Sequence, residues 1–301
     1  MLKHDVVFTG GWVFFRIYSL RHNNWGDDIN KYFFEYVSNV KIALMPRKAI
    51  FFPVKKYYLL IGSILGGRDL RKMKIYGTGL MTSSGASCIK YKPEEIISVR
   101  GPKTRDALLQ NGIDCPEHYG DPALLLPLFY SPARKVSGKI SIIPNCITLT
   151  KYGSPLINIL TKEYGCNLIH MGIYDKWTDI IDIITGSSFV MSESLHGLIV
   201  AETYNIPCAW VELVNHDKLK HNDDWQFKYL DFYESIGKYN MQCLRLYEHF
   251  NFGELMKLKD SWKPGNIDYE KQLEYFPFEI KPEFKPQIAE FLRTHKNSPE
   301  S

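Results

Sequence analysis

Apolar positions along the chain switch repeatedly between two periods. Short β-branched and aromatic runs alternate with longer stretches in which apolar residues recur every three or four positions. That alternation predicts an α/β fold built on largely parallel sheet. In the first half, WVFFRIYSL (12–20) predicts a strand and INKYFFEYVSNV (29–40) a helix. KYYLLIGSIL (56–65), KIYGTGLM (74–81) and EEIISVR (94–100) predict further strands. A helix follows over PKTRDALLQNG, with Pro102 in its first turn and Gly112 near its end. HYGDPALLLP (118–127) closes this half, and the polar stretch SPARKVSGK (131–139) has the composition of a linker.

The pattern then restarts. KISIIPN (139–145), NLIHMG (167–172), FVMSE (189–193) and CAWVEL (208–213) predict strands. Helices are expected around Ser154 to Tyr164, over DKWTDIIDIITGS (175–187) and over LHGLIVAETYN (195–205), where Pro207 stops the last one. Beyond residue 240 the pattern is irregular and aromatic-rich, with one helix expected near 284–294. The expected organisation is two domains, 1–135 and 136–301, the second with an extension that packs back on the first. A cleft between them would face the carboxyl ends of the strands, where open α/β sheets bind ligands.

Composition narrows the classes of function. The 301 residues are 45% hydrophobic and 14% aromatic, ample for a core, and the net charge is only +4. With a pI near 8.5 the chain lacks the dense basic stripe of a nucleic-acid binder, but it suits anionic small substrates or peripheral contact with an anionic membrane surface. Six dispersed cysteines without a CxxC pair suggest reduced thiols, a cytoplasmic setting and no structural zinc. The amino-terminal run MLKHDVVFTGGWVFFRIYSL lacks a signal-peptide layout and is interrupted by Gly10, Gly11 and Arg16, so a soluble chain is expected.

Four stretches could carry chemistry. In SESLHGLIVAETYNIP (192–207), Glu193 and His196 stand where a helix begins, a position that favours anions. They lie on one side if the helical turn has begun by Glu193, and a histidine with a carboxylate there suits proton transfer beside a bound phosphate. Ser192 or Ser194 capping the helix is the plain structural alternative, and Gly197 permits close approach of a neighbour or a ligand. In RHNNWGDDIN (21–30), Asn23, Asn24, Asp27 and Asp28 exceed what capping requires, and carboxylates there would hold or deprotonate a sugar hydroxyl. In SVRGPKTRDALL (98–109), cations at a helix start oppose its dipole, which makes Arg100 a candidate anion ligand. In YGDPALLLP, Asp121 before Pro122 has the pattern of a structural helix initiator.

Taken together, NNWGDDIN, SVRGPKTRDALLQNGI, YGDPALLLP, IIPN, SESLHGLIVAETYNIP and FKYLDFYESIG resemble, in order, the polysaccharide pyruvyl transferase family, particularly its exopolysaccharide and capsule members. The resemblance implies two Rossmann-like domains in a GT-B-like arrangement. It also implies transfer of pyruvate from phosphoenolpyruvate to a glycan hydroxyl pair, giving a ketal and phosphate, with no further cofactor and no metal. The acceptor could be a polyprenyl-diphosphate-linked glycan, which would bring the chain to the inner face of the cytoplasmic membrane. Family members commonly carry an arginine where this chain has Ser194, and a histidine where it has Asn145. Expected donor ligands are therefore Arg100, Ser194, Leu195, His196 and Gly197. His196, Glu193, Asp27 and Asp28 are the expected proton-transfer residues, and Asn24, Asp27 and Asp28 the acceptor ligands. A nucleotide-sugar glycosyltransferase on the same scaffold, and a non-catalytic scaffold of a polysaccharide assembly complex, are the rival expectations.

Overall fold

Each half of the chain builds its own parallel sheet, and the two sheets have the same strand order. The computed structural model describes residues 5–10, 24–45, 57–67, 69–132, 138–145, 148–149, 155–214 and 223–296. The strand expected over 12–20 lies outside these residues, as does Asn23. In the first half, β1 (Asp5–Gly10), β2 (Val40–Met45), β3 (Tyr57–Leu59), β4 (Met73–Ile75) and β5 (Glu95–Ile96) form one five-stranded sheet in the order β2-β1-β3-β4-β5. The second sheet runs β10-β9-β8-β6-β7, from β6 (Ile140–Ile143), β7 (Asn167–Leu168), β8 (Phe189–Ser192), β9 (Cys208–Leu213) and β10 (Leu244–Leu246). Renumbered within its own half, the second order read backwards is again 2-1-3-4-5, and every strand pair in both sheets is parallel. In such a doubly wound sheet the order reverses beside the first strand, and ligands bind at the carboxyl ends there. The reversal falls between β1 and β3 in one half and between β6 and β8 in the other.

The helices occupy the crossovers. In the first half they are α1 (Trp25–Val37), α2 (Pro102–Gln110) and the short α3 (Leu126–Phe129). In the second they are α4 (Pro155–Asn158), continued as a π-helical turn over Ile159–Glu163, α5 (Asp179–Thr185), α6 (Leu195–Thr203) and α7 (Phe227–Ser235). The carboxyl-terminal part adds α8 (Phe252–Ser261), α9 (Tyr269–Glu274) and α10 (Lys285–Lys296). Strands expected over 56–65 and 74–81 are far shorter than their apolar runs, because glycines bend the chain away from the sheet. Gly62 has φ +126° and Gly77 has φ +71°, and a side chain built on Gly77 would meet Pro122 at 2.3 Å. These runs are buried loops at the sheet edge, not longer strands.

One apolar cluster crosses from half to half, joining Trp25, Ile29, Phe33 and Phe129 to Leu198, Ile199, Trp210 and Phe232. The carboxyl-terminal segment closes over the first half. Phe276 stacks on Phe34 at 5.9 Å, Phe278 meets Tyr58, and Lys281 Nζ donates to the carbonyls of Glu35 and Tyr36. A second tie reaches α6: the buried Glu202 carboxylate accepts from Lys238 Nζ at 2.5 Å and from Gly265 N at 3.2 Å. The five cysteines among the described residues are free thiols. No helix among the described residues is long and apolar enough to cross a membrane.

Candidate functional site

The carboxyl ends of β3, β6 and β8 and the starts of α1 and α6 converge. Asn24 caps α1, its side-chain oxygen accepting from Gly26 N at 3.2 Å. Trp25 then ties the helix start to the second half: its backbone N donates to Met171 O at 2.7 Å and its Nε1 to Trp177 O at 2.6 Å. With α1 thus fixed, Gly26 presents a bare Cα to the ring of His196. A Cβ there would lie 2.1 Å from His196 Nδ1 and 2.6 Å from its Cγ, so only glycine admits the imidazole.

His196 is the second residue of α6, whose entry is set by Ser192. Ser192 Oγ accepts from Ser194 N at 3.0 Å and donates to Ser194 O at 2.8 Å. Ser194 occupies the cap position in an extended conformation but makes no side-chain cap bond. The positive end of a nine-residue helix is thus left without a side-chain cap. Gly197 packs against the protein: a Cβ would fall 2.5 Å from Ser192 Oγ and 2.7 Å from Ile143 Cδ1.

Glu193 does not orient His196 as expected from their spacing. Helical geometry begins only at Leu195, so the two residues do not share a helix face. The buried Glu193 carboxylate instead accepts from Leu213 N at 2.8 Å and from Asn145 N at 3.0 Å, binding together the ends of β6, β8 and β9. Its own carbonyl accepts from Tyr229 OH at 2.6 Å.

Facing His196 is Asp121. Its Oδ1 caps the short helical turn Pro122–Leu125 by accepting from Ala123 N at 3.0 Å, as its place before proline suggested. Its Oδ2 is fully buried without a hydrogen-bond partner and lies 4.0 Å from His196 Nε2, which is also buried and unpartnered. Burial raises the Asp121 carboxyl to about 6, against the pull of the Ala123 N–H and the Arg100 guanidinium. Burial likewise lowers the His196 imidazole to about 3, reinforced by the positive charges of Arg100 and Lys228. At neutral pH this environment therefore favours a neutral imidazole.

Arg100 does not present a free cation. Its side chain is completely buried, and each guanidinium nitrogen is engaged: Nε with Asp231 Oδ2 at 2.9 Å, Nη1 with Ser63 Oγ at 2.6 Å, and Nη2 with Leu80 O at 2.7 Å. Asp231 also accepts from Thr104 N at 2.8 Å and Thr104 Oγ1 at 2.7 Å. The strain of a cation near the start of α2 is thus relieved by an internal carboxylate on α7, and no external anion is needed.

The first-half amides and carboxylates divide similarly. Asp28 Oδ2 accepts from Tyr174 OH at 2.7 Å, which with burial holds that phenol well above its ordinary range. Asn30, overlooked in the sequence, makes a paired contact with the backbone of Ile61, at 2.8 and 2.9 Å. Asp27 is half-buried, with Oδ1 beside the Gly62 turn at the end of β3.

A cavity of about 160 Å³ opens beside this convergence, lined among others by Thr82, Asn145, Glu193, Glu212, Trp225 and Lys228. Lys228, on α7, carries its Nζ 4.9 Å from the centre of the Tyr229 ring. The cavity is small beside the roughly 300–1,000 Å³ of drug-sized pockets, and suits a ligand of a few heavy atoms.

A model of the polysaccharide pyruvyl transferase family matches residues 3–213, a span that holds both sheet reversals, Gly26, Asp121 and His196. Among curated proteins, the chain is 26% identical over 224 residues to an uncharacterized protein, L143, of Acanthamoeba polyphaga mimivirus, covering 73% of each chain. The family match extends over well more than half of the sequence, and this chain belongs to the polysaccharide pyruvyl transferases.

Proposed function

We propose that the chain moves the pyruvyl group of phosphoenolpyruvate onto two hydroxyls of one sugar in a polysaccharide precursor, forming a ketal and releasing phosphate. The observation that carries this reading is His196: a partly exposed imidazole, held neutral by desolvation, at a helix start that no side chain caps. Phosphoenolpyruvate brings phosphate and carboxylate charge on a three-carbon skeleton, which suits the uncapped start of α6; the small cavity lined by Glu193 and Lys228 adjoins that start but is not lined by His196.

The reaction needs a proton delivered to the methylene carbon, after which a sugar hydroxyl adds to C2 and gives up its own proton. Loss of phosphate then opens C2 to the second hydroxyl, whose proton leaves as the ring closes. One hydroxyl proton is balanced in the new methyl group and the other on phosphate. His196 is the acid in this reading. Its surroundings favour the neutral ring, and the donor's negative charge favours the protonated form on binding. Lys228 replaces Arg100 as the candidate donor cation, because it lines the cavity and acts on His196 electrostatically. The two cavity carboxylates are already compensated, Glu193 by backbone N–H groups and Glu212 by Arg245 at 3.0 Å. Asp27, next to the glycine that touches His196, is the candidate for binding or deprotonating an acceptor hydroxyl. A GT-B-like disposition of the two halves, and a lipid-linked acceptor at the inner membrane face, belong to the same reading. The repeated strand order and the meeting of both reversals at one site favour the first of these.

The test is incubation with phosphoenolpyruvate and an aryl or lipid-linked glycoside. Release of inorganic phosphate with a glycan heavier by one pyruvate ketal is expected. His196→Ala should lower turnover ~100-fold or more if the imidazole transfers the proton. Release of a nucleoside diphosphate from a nucleotide sugar, with phosphoenolpyruvate inert, would overturn the reading in favour of glycosyl transfer. Thermal stabilisation by phosphoenolpyruvate without turnover across an acceptor panel would favour a non-catalytic scaffold.

A further inference from the structure

Two buried polar atoms without hydrogen-bond partners face one another across the site, and their isolation is not accidental in energetic terms. An unsatisfied buried acceptor or donor costs about 1–3 kcal/mol, so such atoms are uncommon and call for a reason. Asp121 Oδ2 and His196 Nε2 are 4.0 Å apart, beyond hydrogen-bond distance but with no other protein partner. Asp121 is anchored from behind, since its other oxygen holds Ala123 N. Gly26 restrains the opposite side of the imidazole. The histidine is therefore held between a bare backbone and a carboxylate, and a contraction of about 1 Å would bring the pair into contact. Catalytic hydrogen bonds are often this long before substrate closes the site.

We infer that Asp121 is the positioning residue of His196: its Oδ2 takes a hydrogen bond from Nε2 when the donor binds, directs Nδ1 and the ring edge, and balances the charge of the imidazolium. This rests on the pyruvyl-transfer reading above. The charged neighbours leave that role to Asp121. Arg100 and Asp231 neutralise one another, Lys228 opposes protonation of the imidazole, and Glu193 is occupied by backbone N–H groups. Tyr76, packed close to Asp121 and with its phenol held above the ordinary range by burial, stays neutral and adds no charge. The raised carboxyl of Asp121 and the lowered imidazole fit a pair that gains a proton together as an anionic donor arrives.

Asp121→Asn tests this, because the amide oxygen can still accept from Ala123 N while the negative charge is lost. A general acid loses activity as pH rises through its pKa in the complex. Without the carboxylate, that alkaline limb of kcat should move to lower pH by about one unit or more, and kcat at pH 7.5 should fall roughly tenfold. Stabilisation by phosphoenolpyruvate should survive. An unmoved limb overturns the inference, whether or not kcat drops, since a purely structural defect lowers kcat without shifting it. Nitrogen NMR of histidine-labelled wild-type enzyme, with His196→Gln for assignment, needs no Asp121 variant. Saturating phosphoenolpyruvate should convert His196 at pH 7 to a form protonated on both ring nitrogens. A neutral ring in that complex overturns the inference by itself. Wild-type enzyme that neither binds nor consumes phosphoenolpyruvate would instead overturn the underlying reading, and the inference with it.

Discussion

The Arg100–Asp231 pair offers the sharpest separation between a structural and a ligand-binding role. Both side chains are completely buried and the carboxylate accepts from Arg100, Thr104 N and Thr104 Oγ1. Arg100→Leu would strand a buried carboxylate whose remaining donors are two neutral groups, and Asp231→Leu would strand a guanidinium left with Ser63 and Leu80 O. Breaking a buried pair from one side costs about 3–5 kcal/mol, whereas removing both charges together is often neutral or favourable. Each single variant should therefore lower Tm by roughly 6–10 °C, taking about 2 °C per kcal/mol for a chain of this size. The double variant should recover at least ~1 kcal/mol relative to the sum of the singles. Urea unfolding followed by tryptophan fluorescence measures all three against wild type. If Arg100→Leu unfolds like wild type yet loses donor affinity, the internal-pair reasoning fails and Arg100 returns as the donor cation. Additive singles would also refute it, since they would show that the two charges do not depend on one another.

Three further outcomes follow from the site. Gly26→Ala should cut kcat ~100-fold, because its Cβ would displace the imidazole by more than the roughly 1 Å that costs such factors; full activity would refute the ring's placement. Lys228→Ala should raise the donor KM about tenfold, the worth of ~1.4 kcal/mol, while leaving the acceptor KM in place; an unchanged donor KM would remove Lys228 from the donor site. For pH, a folded-state imidazole lowered to about 3 gives stability that is present above its unfolded pKa near 6.5 and is lost as pH falls toward 3. The Asp121 carboxyl, raised to about 6, acts oppositely and withdraws stability as pH rises from ~4 through 6. His196→Gln keeps only the second effect, so its stability relative to wild type should improve steadily between pH 6.5 and 4; a flat difference in urea midpoints would contradict the lowered imidazole.

The alternating periods disclosed the α/β class and most second-half elements because parallel strands buried on both faces read as continuous apolar runs. FVMS and CAWVEL are of this kind, with every residue buried. The same property misled at KYYLLIGSIL and KIYGTGLM, where an apolar run continues past the strand into a buried loop and only Gly62 and Gly77 mark the departure. β2 has no expected counterpart apart from Val40, which falls at the end of the helix expected over 29–40, and α8, α9 and β10 are hidden in the aromatic carboxyl-terminal region, whose weak periodicity reflects packing onto the rest of the molecule. His196 was legible as a candidate through its place at a strand-to-helix turn, where a helix start favours an anion. Its partner was not. Asp121 precedes a proline and caps the turn it begins, so its sequence context is fully explained by one oxygen while the other does something local spacing cannot reveal.

That division suggests how chemistry can be separated from architecture in a family known by its motifs. Many motif residues here are accounted for by protein contacts: Asn24 caps, Asn30 holds Ile61, Asp28 takes the Tyr174 hydroxyl, Arg100 meets Asp231, and Glu193 secures three strand ends. Polar side chains satisfied in this way position the edge of the sheets but have little left to offer a ligand. Asp121 Oδ2 and His196 Nε2 are the opposite case, left without protein partners beside the starts of α1 and α6. A fold can retain such an energetic cost when the two atoms close on one another as substrate binds. Most of the residues in the quoted motifs therefore build the frame, and Asp121 and His196 are the pair in which two unsatisfied atoms face one another.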